Sequence, residues 1–238
     1  MGSKPPPPSP SPSPSPSQSP SPSPSQSQPS ILTRLIDIDK SVSLLLHSTF
    51  QPYLPRSLLK LLEISGDGRL FFPLTISLLL SPLSTPLTTS LLSSLLIGAV
   101  LDLLLVGIAK HLFRRPRPVY NKDMFLISFA VDHWSFPSGH SSRVCFVAAF
   151  LSLSSAAIRD AVAQLRLMDS VGIESIDDDA AVNLVVLALC SWAAATSVSR
   201  VLLGRHFVCD VAAGAILGLL EALLVFRFIN YSILVSYF

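Results

Sequence analysis

Ser199-Arg200-Val201-Leu202-Leu203-Gly204-Arg205-His206-Phe207-Val208-Cys209-Asp210 lies where one apolar run ends and the next begins. It sets two arginines and a histidine at the edge of a membrane, with an aspartate four residues beyond the histidine. On a helix, residues i and i+4 share a face, about 5–6 Å apart at Cβ. Asp210 is then placed to accept the proton-bearing nitrogen of His206, fixing its tautomer and leaving the other ring nitrogen free to attack. A capping aspartate beside an interfacial histidine explains the same residues equally well. The rest of the chain has to decide between them.

Half of the 238 residues are hydrophobic and only 13% are charged, which points to several membrane spans rather than a soluble domain. A formal net charge of +2 is too small to imply nucleic acid as a partner. Cys145, Cys190 and Cys209 fall in or beside apolar segments without metal-ligand spacing. They are expected as buried thiols, not as a disulfide framework or a zinc site. Asp177-Asp178-Asp179 reads as a set of dipole partners before a helix start rather than as a magnesium site. No metal and no cofactor is expected.

Pro5 to Pro29 is almost entirely Pro, Ser and Gln. It cannot bury enough apolar surface to offset its ordering entropy, so residues 1–30 are expected as a disordered tail of polyproline II character. The tail has no apolar stretch of the kind a secretory signal needs, and Pro6 stands where a myristoylation signal has Ser or Thr. Its serines and lack of acids also permit a transit peptide, which leaves a plastid membrane as the alternative to the endoplasmic reticulum. Residues 31–64 mix apolar and charged side chains and are expected as an interfacial amphipathic helical segment. Residues 65–238 then form the transmembrane domain. Its expected spans are Leu91–Ala109, Ser142–Ile158, Asn183–Val198 and Val208–Phe228, with the short, proline-bearing Leu70–Leu83 as the weakest. The fold class is all-α, a polytopic membrane helical bundle of about five transmembrane helices plus an interfacial N-terminal helix. If each apolar segment crosses once, the ends near Lys110, Ser138, Ser199 and Val208 meet on one side. The basic residues there, against an acidic opposite loop, favour a cytosolic face.

Three polar clusters therefore converge: Lys110 six residues before Arg117-Pro118, then Pro137-Ser138-Gly139-His140, then the Ser199–Asp210 stretch. In order and form (K-x6-R-P, P-S-G-H, S-R-x5-H-x3-D) they resemble the type 2 phosphatidic acid phosphatase (PAP2) superfamily, which shares its site with vanadium haloperoxidases. The flanking Arg114-Arg115-Pro116-Arg117-Pro118, Asn121, Asp123-Met124-Phe125, Val131-Asp132 and Ser135-Phe136 look like one branch. That branch is the polyisoprenoid (presqualene) diphosphate phosphatases and the plant lipid phosphate phosphatase beta relatives.

Elementary chemistry is consistent with a phosphate site. Lys110, Arg117 and Arg200 supply cations, and arginine offers planar two-point contacts to phosphate oxygens. Ser138 and Gly139 open a helix whose free N–H groups favour an anion. The resemblance implies that His206 is the nucleophile, that Asp210 orients it, and that His140 is the acid and base. It also implies a lipid phosphate or isoprenoid diphosphate as substrate, no metal, and the bilayer as partner; oligomeric state is not readable. Two alternatives remain: a lipid head-group phosphotransferase using the same histidine, and a non-catalytic membrane scaffold. Arg114 and Arg115, off the motif positions, are expected to contact anionic headgroups. Gly214 and Gly218 suit a close helix contact. Asp102 and Glu221 are intramembrane acids and so candidates for a function, and Glu221 is expected to face the bundle interior and help pack it.

Overall fold

The computed structural model describes Gly2 and residues 30–82, 85–120, 134–160 and 178–229. The expected tail, Asp177, and the branch residues Asn121, Asp123–Phe125, Val131 and Asp132 lie outside the described residues. Among the described residues the protein is all helix apart from an isolated bridge between Pro116 and Trp134. The helices are α1 (Ile31–Phe50), α2 (Arg56–Ser65), α3 (Gly68–Leu79), α4 (Pro86–Phe113), α5 (Gly139–Leu153), α6 (Asp178–Leu202) and α7 (Val208–Phe228).

Helices α4, α6 and α7 are long and apolar enough to cross a bilayer. Helix α3, with 12 residues and Pro73 inside it, is too short to span alone. Helix α5 has 15 residues, and the chain turns at Ser154 before resuming as helix over 155–160. The boundaries follow local chemistry. Thr85 and Thr88 cap α4 reciprocally, with Pro86 at its first position, and Arg114 ends it in a left-handed conformation at φ 45°.

Helix α5 is the centre of the bundle, packed on α7, α6 and α4. It buries Val144, Phe146, Val147, Ala148 and Phe150 together with Ser141, Ser142 and Arg143. Three glycines permit this closeness. A Cβ on Gly98 would run into the Phe146 ring, and one on Gly214 or Gly218 would run into the Ser138 or Ser142 carbonyl oxygen. The expected close contact of Gly214 and Gly218 is therefore backbone against backbone, α7 on α5. Outward, the three long helices expose leucines and valines such as Leu103, Leu187 and Leu223, the surface a lipid-facing helix presents.

Inside the bundle, Arg143 Nη2 lies 3.2 Å from Asp102 Oδ2, and Glu221 lies beside Asp102. Both acids are buried, as the position of Glu221 in the sequence leads one to expect of it. The cysteines differ from expectation. All three are free, but Cys190 and Cys209 are exposed and only Cys145 is partly enclosed. In a membrane protein an apolar helix face is an outer face as well as a core face, so hydrophobic context does not imply burial.

Helices α1 and α2 cover residues 31–65 and keep exposed apolar residues such as Ile31, Leu35, Leu58 and Leu61. They also dock inward, α2 on α6 and α1 on both α6 and α7. Asp39 and Ser43, one helical turn apart on α1, are buried against the start of α7. Asp39 Oδ1 accepts from Cys209 N at 3.0 Å and Ser43 Oγ from Val208 N at 2.9 Å, which satisfies two of the free N–H groups of that helix end.

Candidate active site

The last turn of α4, the first turns of α5 and α7, and the end of α6 meet at one end of the bundle. Lys110, on the last turn of α4, is buried. Past the end of α4, Ser135 ties its own segment to the one that follows Arg114. Its N–H donates to Arg115 O at 2.8 Å and its hydroxyl to Pro116 O at 3.0 Å. Ser138 caps α5, and its N–H donates to Asp210 O at 2.9 Å, fixing the start of α5 to the start of α7. Between α6 and α7 the chain turns at Gly204, whose φ of 65° suits glycine. The turn brings the N–H groups of Arg205 and His206 back to Arg200 O, at 2.9 and 3.2 Å.

His206 is buried at this junction, 1% exposed. Its Nδ1 lies 2.7 Å from the Ser135 carbonyl oxygen, which can only accept, so Nδ1 carries the proton and Nε2 keeps its lone pair. The expected Asp210 contact is different: Asp210 Oδ2 is 3.8 Å from Nδ1. The reason is helical phase. Helix α7 begins at Val208, so His206 precedes it and the i, i+4 alignment does not apply. Asp210 instead caps the helix, accepting from Phe207 N at 2.9 Å through Oδ2. It bonds the backbone of the residue after His206 rather than the imidazole ring.

The other oxygen of Asp210 accepts from Arg115 Nη1 at 2.7 Å, and Arg115 Nη2 donates to Asp39 Oδ2 at 2.6 Å. The guanidinium also lies over the Phe207 ring, 4.2 Å from its centroid. This overturns the headgroup role expected for Arg115. Arg115 turns into the α1–α7 seam, while the charge of Arg117 bears on His206. Arg114 is exposed and folds back onto His111 O at 3.0 Å.

Burial and the positive charges of Arg117, Arg200 and Lys110 hold the His206 imidazole well below its ordinary value of 6.5, so it is neutral at neutral pH. His140, in the first turn of α5, lies within electrostatic reach of His206, Arg200, Arg143 and Lys110. The sequence-derived residues His206, His140, Lys110, Arg117, Ser138, Gly139 and Arg200 are thus brought together. Arg200 is 2% exposed, and its Nε has no hydrogen-bond partner among the described residues; nor has His140 Nε2. A buried donor without an acceptor costs about 1–3 kcal/mol, so the cluster calls for an anion. Among the described residues no group of three His, Cys, Asp or Glu side chains is arranged to hold a metal ion.

Sequence reasoning missed four residues here. Glu63 on α2 pairs with Arg200 and Arg205, Asp67 Oδ2 stands 4.0 Å from His140 Nε2, Asp39 pairs with Arg115, and Ser135 holds His206. Burial pushes the Glu63 carboxyl up, but Arg200 and Arg205 outweigh it and hold Glu63 below its ordinary value of 4.5.

The chain is similar to known proteins in family and fold. Residues 88–234 match the family described as PAP2 superfamily. A curated relative from Arabidopsis thaliana, named probable lipid phosphate phosphatase beta, is 44% identical over 199 residues, covering 83% of this chain and 91% of that protein. Two solved structures share the fold. One is a transmembrane PAP2 type phosphatidylglycerolphosphate phosphatase from Bacillus subtilis, with TM-score 0.60, 22% identity, and coverage of 82% of this chain and 86% of that one. The other is LpxE from Aquifex aeolicus, with TM-score 0.51, 21% identity, and coverage of 79% and 94%.

Proposed function

The chain belongs to the PAP2 superfamily and is an integral membrane phosphatase of lipid phosphates, and on that premise we propose that it works through a phosphohistidine on His206 without a metal. The observation that carries the proposal is the His206 tautomer. Its protonated Nδ1 is spent on Ser135 O, which leaves Nε2 as the nucleophile beside the positive charges of Arg117, Arg200 and Lys110.

A phosphate dianion is held by Lys110, Arg117, Arg200 and the N–H groups at Ser138 and Gly139, which neutralise its charge and fix phosphorus in line with Nε2. Burial and the neighbouring cations keep His140 neutral in the empty site, and it takes up a proton with the bound dianion; Nε2 forms the bond to phosphorus as the ester or anhydride oxygen leaves with that proton. The resulting imidazolium keeps its Nδ1 proton on Ser135 O. His140 then removes a proton from water, whose oxygen attacks phosphorus, releases inorganic phosphate and returns the electron pair to Nε2. Fixed cations perform the charge neutralisation a divalent metal otherwise supplies. The substrates we propose are amphipathic lipid phosphates or isoprenoid diphosphates, entering from the bilayer. The proposed host is the endoplasmic reticulum membrane, with a plastid membrane as the alternative.

The test is alkali-quenched turnover of a 32P-labelled lipid phosphate by purified protein in chelator. An acid-labile, base-stable label that is lost in His206→Ala is expected. Turnover that survives in His206→Ala, or that requires a divalent ion, overturns the mechanism.

A further inference from the structure

Glu63 stands on α2, outside the residues that match the family, and no motif points to it. Its Oε1 lies 2.6 Å from Arg200 Nη1 and 3.1 Å from Arg205 Nε, and its Oε2 accepts from Arg205 Nη2 at 3.3 Å. A planar anion gripped by two guanidiniums is the contact set that arginines give a phosphate. With Arg200 also the cation that awaits substrate, carboxylate and phosphate compete for the same donors.

We propose that Glu63 is an anionic placeholder of the phosphate pocket: it holds Arg200 and Arg205 in the empty site, and its competition for them helps expel inorganic phosphate after turnover. The inference rests on the reading of this cluster as a phosphate site.

Helix α2 does not need the ion pairs to stay in place. A Cβ on Gly66 would come within 2.9 Å of both Thr196 Cγ2 and Val144 Cγ1, so the end of α2 is packed directly on α5 and α6. Trp192 Nε1 donates to Ser65 Oγ at 2.9 Å, and Leu59 packs with Leu202 and Leu203. With the backbone so fixed, rotation about the Glu63 side-chain bonds suffices to engage or release the arginines. Arg200 and Arg205 keep Glu63 ionised at neutral pH, so the competitor is always charged when substrate arrives.

The coupling is reciprocal: if phosphate must displace Glu63, removing the carboxylate charge tightens phosphate. A Glu63 that serves only to hold Arg200 in position predicts the opposite sign, because a released Arg200 grips phosphate less well. The experiment measures the inhibition constant of inorganic phosphate in the full-length protein and in Glu63→Gln, with phosphate-dependent thermal stabilisation in detergent as a second readout. We expect phosphate to bind roughly five- to tenfold tighter in Glu63→Gln. Unchanged or weaker binding overturns the proposal. Should Glu63→Gln fail to fold, Glu63→Asp, which keeps the charge but shortens its reach, is expected to tighten phosphate in the same direction, and no tightening there overturns it. If the wild type lacks phosphatase activity, the reading of the site fails instead, and the thermal readout still decides the competition.

Discussion

Removing the charge of Arg115 tests the seam between α1, the loop and α7 most directly. The guanidinium bridges Asp210 at 2.7 Å and Asp39 at 2.6 Å, and both carboxylates are almost wholly enclosed. In Arg115→Met the methionine fills much of the volume, but two acids lose their cation. Deleting one partner of a buried ion pair costs about 3–5 kcal/mol. The helix-end N–H groups of Phe207 and Cys209 still bond these acids, so the cost for the two together stays within that range. For a protein of this size about 1 kcal/mol corresponds to roughly 2–4 °C, so Tm in detergent should fall by about 6–20 °C. Arg115→Lys should fall less, since one ammonium keeps the charge but cannot bridge both acids with a planar fork. The double variant Arg115→Met, Asp39→Asn should be less destabilised than the sum of the single ones. An Arg115→Met protein that melts within about 2 °C of wild type, on the same scale, refutes the seam as described.

Further outcomes are expected. His206, held well below 6.5, should stay neutral in the free protein through pH 6.5 and protonate only at lower pH, seen by 15N NMR of labelled histidine. Removing positive charge in Arg117→Met should move that titration upward, and no movement refutes the placement of Arg117. Because the unfolded chain takes up the proton first, His206 contributes stability fully above pH 6.5 and loses it as pH falls toward the folded value, measurable in denaturation at several pH values. Gly214→Ala should separate α7 from the Ser138 carbonyl, costing about 1–3 kcal/mol and most of the activity, whereas Gly107→Ala, with open space around it, should be neutral or stabilising. Arg143→Met, which strands Asp102 and Glu221, should lower stability by about 3–5 kcal/mol in thermal denaturation.

The convergence of the motifs was legible because spans force it: alternate crossings put Lys110, Ser138, Arg200 and His206 at one end whatever the packing. The inward turn of Glu221 was legible for a similar reason, since a carboxyl among leucines has to face inward. What the sequence concealed was phase and partnership. His206 and Asp210 are four apart, yet the helix starts between them, and only the cap geometry reveals that Ser135 takes the imidazole proton. Arg115 and Arg117 look alike on paper, yet one bridges Asp39 and Asp210 and the other bears its charge on His206. Asp39 and Glu63 sit in a segment whose mixed polarity reads as surface, and Asp67 lies just beyond it. Their inward turn depends on how α1, α2 and the start of α3 dock, which no local pattern encodes.

The acids supplied by residues 39–67 lie upstream of the stretch that defines the family. A shortened protein begun at residue 86 would contain every motif histidine, lysine and arginine, yet its cationic end would be stripped of the counter-charges that Asp39, Glu63 and Asp67 bring. Such a fragment would carry a crowd of mutually repelling cations at one bilayer face and an uncovered start to its last helix. Swapping domains between relatives therefore has to move both leading helices with the catalytic bundle, as a matched set.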